Sequence, residues 1–336
     1  MNIFFVISLK QKKMKRIAVF TSGGDSPGMN ACIRAVVRTA IYNNIQVFGI
    51  KRGYDGLIKG DLEELHSHSV ANILQRGGTI LKSARSDEFR TADGRKKAYD
   101  TINKFEIDGL IGIGGDGTFT GANIFNQEYN VPFIGIPGTI DNDLFGTDLT
   151  IGYDTALNTV IDAVDKIRDT ASSHNRLFFI EVMGKDAGFI ALRSGIATGA
   201  EAILVPETKT YIDNLIAKLE AGRRKSKTSG IVIVSEGDDA GGAFEIAKKV
   251  KEKFDYYDTR VSVLGHLQRG GKPSARDRVL AAELGNSAVE NLVNNETNKM
   301  VGIVNNKIVL TPFDHAIKHH KELNKNLLKL VDILSI

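Results

Sequence analysis

Leu110-Ile111-Gly112-Ile113 runs directly into Gly114-Gly115-Asp116-Gly117-Thr118, and the reading of this stretch decides the fold. A short apolar run ends in glycines that let the chain turn, and Thr118–Asn126 then takes up a helical period. The same order recurs on both sides of it. Arg16–Thr21, Met29–Asn43 and Gln46–Ile50 precede it, and Gly109–Ile113, Thr118–Asn126 and Phe133–Pro137 form the unit that contains it. In Asp154–Thr170 the apolar residues Leu157, Val160, Ile161, Val164 and Ile167 repeat at the spacing of a helix with one buried face. The second half continues with Arg176–Val182, Ala202–Val205, Gly230–Ser235 and Asp258–Val263 as strands, and with helical stretches such as Ser274–Asn295. This alternation predicts an α/β protein of two three-layer units with mostly parallel sheets.

A chain of 336 residues exceeds what one compact core usually serves, which agrees with two domains. Hydrophobic residues at 42% and charged residues at 25% are the balance of a globular protein. The formal charge of +4, from 44 basic and 40 acidic residues, is too small for a nucleic-acid footprint. The eight Tyr and 16 Phe form no stripe with basic residues of the kind that single-strand binders use. Cys32 stands alone, so there is no internal disulfide or cysteine-based zinc site, and it reads as a small buried helix residue in a reducing, cytoplasmic compartment. Ile3-Phe4-Phe5-Val6-Ile7 has no basic segment before it and is far short of a span of about 20 residues, which argues against export and membrane anchoring. Residues 1–13 read as a start-site artefact or a loose arm before Met14.

In α/β folds ligands sit beyond the carboxyl ends of the strands, and three glycine-rich loops fall there: Gly23 to Gly28, Gly112 to Gly117, and Gly138 to Asp143. The amides of Gly114 to Thr118 can face an anion without obstruction. Asp116 among them would repel a nucleotide unless a divalent cation stood between, which points to Mg²⁺ with a phosphate donor. Pro137-Gly138-Thr139-Ile140-Asp141-Asn142-Asp143 adds two carboxylates, either a proton acceptor for an attacking hydroxyl or a plain Asx turn. His174-Asn175-Arg176, Met183-Gly184-Lys185-Asp186 and His266-Leu267-Gln268-Arg269-Gly270-Gly271 carry donors suited to a sugar phosphate. Arg223-Arg224-Lys225-Ser226-Lys227 sits at a predicted helix end, as a solvated face or an anion site. No P-loop sequence occurs. His315 and His319, spaced i and i+4 without the metalloprotease glutamate, read as exposed helix residues rather than metal ligands.

Together, Thr21-Ser22-Gly23-Gly24-Asp25, Gly114-Gly115-Asp116-Gly117, Pro137 to Asp143, Met183-Gly184 and Gly265 to Gly271 resemble the bacterial ATP-dependent 6-phosphofructokinase family, from about Met14 to Asp314. The resemblance implies two Rossmann-like domains with the active site in the cleft between them. The larger, ATP-binding domain would be 14–151 with 264–314, and the smaller, sugar-phosphate domain 152–263 with 315–336. It implies Mg²⁺ on Asp116 and ATP against Gly24, Arg85, Ser86, Gly115, Asp116, Gly117 and Thr118. Asp141 would take the proton of the sugar 1-hydroxyl, supported by Thr139 and Asp143, with Arg85 following the phosphoryl group. Fructose 6-phosphate would meet Thr139, Ile140, Asp141, Met183, Gly184, Lys185, Glu236, His266, Leu267, Gln268 and Arg269. Arg176 and Arg260 would reach its 6-phosphate from a neighbouring subunit of a homotetramer. An effector site for ADP and phosphoenolpyruvate would hold Arg34, Arg38, Arg168, Gly199, Ala200, Glu201, Lys225 and Lys227.

Pyrophosphate-dependent relatives typically carry Asp at the position of Gly117 and Lys at that of Gly138, so the two glycines favour ATP as donor over pyrophosphate. Two residues depart from the family pattern. Lys185 replaces an arginine, keeping the charge without the fork, and Ser67 stands where an effector-site arginine is usual. An NAD-dependent oxidoreductase is suggested only by Gly112, Gly114 and Gly117, which lie in mid-chain rather than after the first strand. A silent effector-binding subunit should have lost Asp116 or Asp141, and the chain keeps both.

Overall fold

The computed structural model describes residues 14–225, 227–319 and 321–334, so the residues read as an N-terminal extension lie outside it. The strands are β1 (Arg16–Thr21), β2 (Gln46–Ile50), β3 (Leu62–Leu65), β4 (Gly109–Gly114), β5 (Phe133–Pro137), β6 (Arg176–Val182), β7 (Ala202–Leu204), β8 (Gly230–Ser235), β9 (Asp258–Val263), β10 (Lys299–Val304) and β11 (Lys307–Pro312). The helices are α1 (Met29–Tyr42), α2 (Gly53–Lys59), α3 (Ala92–Phe105), α4 (Asp116–Tyr129), α5 (Tyr153–Ser172), α6 (Phe189–Ala197), α7 (Ile212–Arg224), α8 (Ala243–Lys253), α9 (Ala275–Val293), α10 (Phe313–Lys318) and α11 (Lys325–Leu334). A seven-stranded sheet has the order β11-β10-β5-β4-β1-β2-β3, and a four-stranded sheet the order β7-β8-β6-β9. Pairing is parallel except for β2 with β3 and β10 with β11, at opposite ends of the larger sheet.

Each sheet is covered on both faces. Along β1, Ile17 and Val19 enter one apolar cluster with α1 and α9 residues, while Ala18 and Phe20 enter another with Phe119, Phe133 and Phe313. Along β6, Phe178, Ile180 and Val182 face α5 and α6, and Leu177 and Phe179 face α7 and α8. Burial on both faces is why these strands read as continuous apolar runs rather than alternating ones.

The two sheets are joined through a buried carboxylate. Asp277, in the first turn of α9, accepts from Gly152 N (2.9 Å), from Thr155 N (2.8 Å) and from the Thr155 hydroxyl at the start of α5. Ser274 caps α9 and donates to Asp154 (2.6 Å), closing the junction. Burial raises the Asp277 carboxyl pKa, against the pull of its Thr155 and Gly152 donors. Asp277→Ala strands those amides in a dry site and is expected to cost about 2–4 kcal/mol, measured by urea unfolding. Asp277→Asn, which keeps one acceptor, should lose less.

Candidate active site

The larger sheet has its switch point between β1 and β4. From β1 the chain builds outward through β2 and β3, then returns to place β4 on the other side of β1. Gly114 of β4 pairs with Pro137 of β5, Gly138 N donates to Gly114 O (2.9 Å), and Ser22 N donates to Ile113 O (3.0 Å). Three loops therefore leave one edge side by side. Gly114 must be glycine, because a Cβ there would lie 2.6 Å from the Ser22 carbonyl oxygen and 2.3 Å from Thr118 Oγ1. A Cβ on Gly115 would come within 3.8 Å of Thr139 Cβ, so the loop bearing Asp116 lies beside the loop bearing Asp141. Asp116 is the exposed first residue of α4, where the helix dipole favours negative charge. Gly117 opens onto free space, and Thr118 is buried beneath it.

Asp141 lies deeper. Its backbone N–H donates to Thr139 Oγ1 (3.2 Å), and its Oδ1 is buried with no hydrogen-bond partner. Burial pushes the carboxyl pKa up to about 6, with Asp143 and Glu236 adding to the rise and Arg269 and Thr139 opposing it. A carboxylate with an unsatisfied oxygen and a pKa close to neutrality is suited to accept a proton from a hydroxyl brought against it. Ile140 is buried behind it, and Asn142 holds a left-handed backbone at φ 55°.

The smaller sheet supplies the facing wall. Beyond β6, Met183 N donates to Gln268 Oε1 (3.2 Å), and Glu236, just after β8, accepts from Gly184 N (3.3 Å) and Lys185 N (2.8 Å). Gly184 sits at φ 146°, where a Cβ would meet the Ala187 carbonyl at 2.3 Å. Lys185 pairs with Asp186 at 3.1 Å, and the fields of Asp186, Asp143 and Asp141 raise its pKa, so it stands by the same cleft. His266, Leu267, Gln268 and Arg269 share one 3-10 turn. Arg269 Nη1 donates to the Asp25 carbonyl (3.2 Å), and a Cβ on Gly24 would fall 2.3 Å from that nitrogen. Gly24, expected at the nucleotide, thus also makes room for the guanidinium that faces Asp141.

The remaining residues expected at the nucleotide, Arg85 and Ser86, follow a 79–83 stretch that is bonded to the first loop. The Thr21 hydroxyl lies 2.9 Å from that of Thr79 and donates to Lys82 O, and the Ser83 hydroxyl donates to Gly23 O. Arg85 follows, exposed, and Ser86 Oγ accepts from Phe89 N (3.3 Å). Buried Asn30 accepts from Ile80 N (2.8 Å) and donates to the Arg76 and Gly77 carbonyls. Thr79, Ser83 and Asn30 were not legible as site supports, because their partners lie 46 to 60 residues away in sequence.

Arg176 and Arg260 do not join this cleft within one chain. Both bond Asp258, at 3.2 and 2.8 Å, at the start of β6 and β9, about 20 Å along β6 from Val182 at the usual rise per residue. The residues expected at an effector site form two groups. Arg168 donates to the carbonyls of Thr198 and Gly199, Glu201 pairs with Lys227 at 2.7 Å, Ala200 is buried between them, and Lys225 follows α7. Arg34 and Arg38 lie one turn apart on α1, where burial and then Arg38 lower the Arg34 pKa. His315 and His319 are exposed, and among the described residues no group of three or more His, Cys, Asp or Glu could hold a metal. Also among them, no helix is long and apolar enough to cross a membrane.

A family model described as Phosphofructokinase matches residues 16–292. The chain is 57% identical over 323 residues to ATP-dependent 6-phosphofructokinase 2 of Bacteroides thetaiotaomicron, covering 96% of this chain and 99% of that one. It is 54% identical to ATP-dependent 6-phosphofructokinase 1 of Thermus thermophilus, covering 96% and 100%. Among solved structures it is similar to phosphofructokinase from Saccharomyces cerevisiae, at 38% identity and a TM-score of 0.86, over 96% of this chain and 47% of that one. The chain thus spans about half the length of the yeast chain. A pyrophosphate-dependent phosphofructokinase from Marinobacter aquaeolei, at 21% identity and a TM-score of 0.82 over 95% of this chain and 91% of that one, shares the fold.

Proposed function

We propose that this chain, which belongs to the phosphofructokinase family, transfers the γ-phosphoryl group of ATP to the 1-hydroxyl of fructose 6-phosphate, giving fructose 1,6-bisphosphate and ADP. It is a phosphotransferase with an alcohol acceptor, working in glycolysis. The observation that carries the reading is the adjacency of two loops: Asp116 opens α4, and Asp141, with its orphaned Oδ1, stands on the neighbouring loop. ATP as donor is favoured over pyrophosphate by Gly117 and Gly138 and by relatives at 57% and 54% identity that are named ATP-dependent.

Asp141 accepts the proton of the 1-hydroxyl while that oxygen bonds to the γ-phosphorus and the bond to the bridging β,γ-oxygen breaks. Thr139 and Asp143 support the base. Gly24, Ser86, Gly115, Gly117 and Thr118 line the nucleotide, and Arg85 follows the migrating group. Catalysis is positioning and charge neutralisation. Asp116 would hold Mg²⁺; one exposed carboxylate at a helix start fits an ion that takes most of its ligands from phosphates and water. When bound, that ion neutralises charge on the phosphates. Met183, Gly184, Glu236, His266, Leu267, Gln268 and Arg269 hold the sugar phosphate, with Lys185 as a point charge beside them.

Arg176 and Arg260 reach the 6-phosphate of a neighbouring subunit, which requires an assembly, and the reading is of a cytoplasmic homotetramer. The larger sheet with its loops binds ATP and the smaller binds the sugar. Arg168, Gly199, Ala200, Glu201, Lys225 and Lys227 take ADP or phosphoenolpyruvate together with Arg34 and Arg38, from α1. One assay tests these assignments: fructose 6-phosphate saturation with ATP, with pyrophosphate, and with ATP plus ADP or phosphoenolpyruvate. Turnover is expected with ATP and not with pyrophosphate, and the effectors should shift the midpoint. Pyrophosphate turnover matching that of ATP would refute the donor, and an unmoved curve would refute the effector site.

A further inference from the structure

Behind the loop that carries Asp141, the carbonyl oxygen of Asp148 accepts two hydrogen bonds, from the Asn142 side-chain amide (3.2 Å) and from Lys321 Nζ (2.7 Å). Asn142 stands between Asp141 and Asp143, buried, with its Oδ1 accepting from Thr150 N (2.9 Å). The Thr150 hydroxyl in turn donates to the Thr139 carbonyl (2.6 Å). The backbone from Thr139 to Asp143 is therefore pinned to the 148–150 segment. That segment is tied outward to the β10–β11 hairpin, through Asp148 N to Ile303 O (2.7 Å) and Asn305 N to Asp148 Oδ2 (2.8 Å). Lys321 adds a tie from the chain after α10, and its ammonium lies 5.2 Å from the centre of the Phe189 ring at the start of α6. It spans from the core of the smaller sheet to a loop of the larger one.

We propose that Lys321 is a positioning residue for phosphoryl transfer: its ammonium clamps the Asp148 carbonyl, through which Asn142 fixes the backbone between Asp141 and Asp143 and so aims the base. The inference rests on Asp141 being that base. Burial and three neighbouring groups govern its charge. Burial pushes the Lys321 pKa down to about 8, Asp148 and Asp143 pull it up, and Arg193 of α6 opposes them. The clamp therefore weakens as pH rises through about 8, whereas Asp141 becomes competent as pH rises through about 6.

The test is kcat against pH for the full chain and for Lys321→Met and Lys321→Arg. Because burial disfavours the ammonium, a methionine of similar length removes that penalty, and Lys321→Met is expected to keep the parent melting temperature. Its kcat should fall about tenfold at neutral pH with the KM for ATP unchanged, and its alkaline limb should vanish. Lys321→Arg, charged at every accessible pH, should recover most of kcat and move the alkaline limb upward. Parent kcat in Lys321→Met, or an alkaline limb at the same pH in both variants, would overturn the proposal. Failure of the base assignment reads out separately, as parent kcat in Asp141→Asn.

Discussion

Asp141→Ser is expected to lower kcat between about 10² and 10⁴-fold while fructose 6-phosphate binding, measured by calorimetry, changes only a few-fold. The loss follows from the geometry, since Oδ1 is the buried oxygen left without a protein partner and no other carboxylate is placed to replace it on that loop except Asp143, which serves to raise its neighbour's pKa. In the parent enzyme the free chain's acid limb should lie near the carboxyl value of about 6, with kcat/KM falling tenfold per pH unit below it. The same shift has a stability sign. A folded carboxyl raised above its unfolded value favours the protonated folded state, so Asp141 adds its share of stability at low pH and loses it as pH rises through about 6. Asp141→Asn, which cannot ionise, is therefore expected to raise the melting temperature at pH 8 while removing turnover. A variant that keeps the parent rate would end the base assignment.

What the sequence made legible follows from how its strands are buried. β1, β4, β5, β6 and β8 are covered on both faces, so each is a largely apolar run, and the loops after them stood out. The antiparallel strands carried no such signal. β3 is Leu62-Glu63-Glu64-Leu65 at a sheet edge, and β11 is half-exposed, so neither reads as core. Helix α4 begins at Asp116 rather than Thr118, because Gly115 takes the cap position and the carboxylate can enter the first turn. The order of five motifs pointed to the site, and the fold ties them together through long-range contacts that no local pattern encodes. Lys321 lay wholly outside sequence reading, as its partner Asp148 is 173 residues away.

Arg269 is the residue whose loss should be felt in both substrate binding and proton transfer. Its guanidinium leans on Gly24, donates to the Asp25 carbonyl, and holds the Asp141 pKa below where burial alone would place it. If Arg269 holds the sugar phosphate as proposed, Arg269→Met removes a charged donor from it, which at about 2–3 kcal/mol corresponds to a rise in the fructose 6-phosphate KM of roughly 30- to 150-fold. It also removes the field that opposes burial, Asp143 and Glu236, so the Asp141 carboxyl should titrate above its parent value of about 6. The acid limb of kcat should then move upward, and part of the activity lost at pH 7 should return at pH 8. Arg269→Lys supplies charge without the fork, and should hold the limb near its parent position while leaving KM raised. A purely steric role for Arg269 predicts a raised KM in both variants with the acid limb unmoved, and that result would refute the coupling between the arginine and the base.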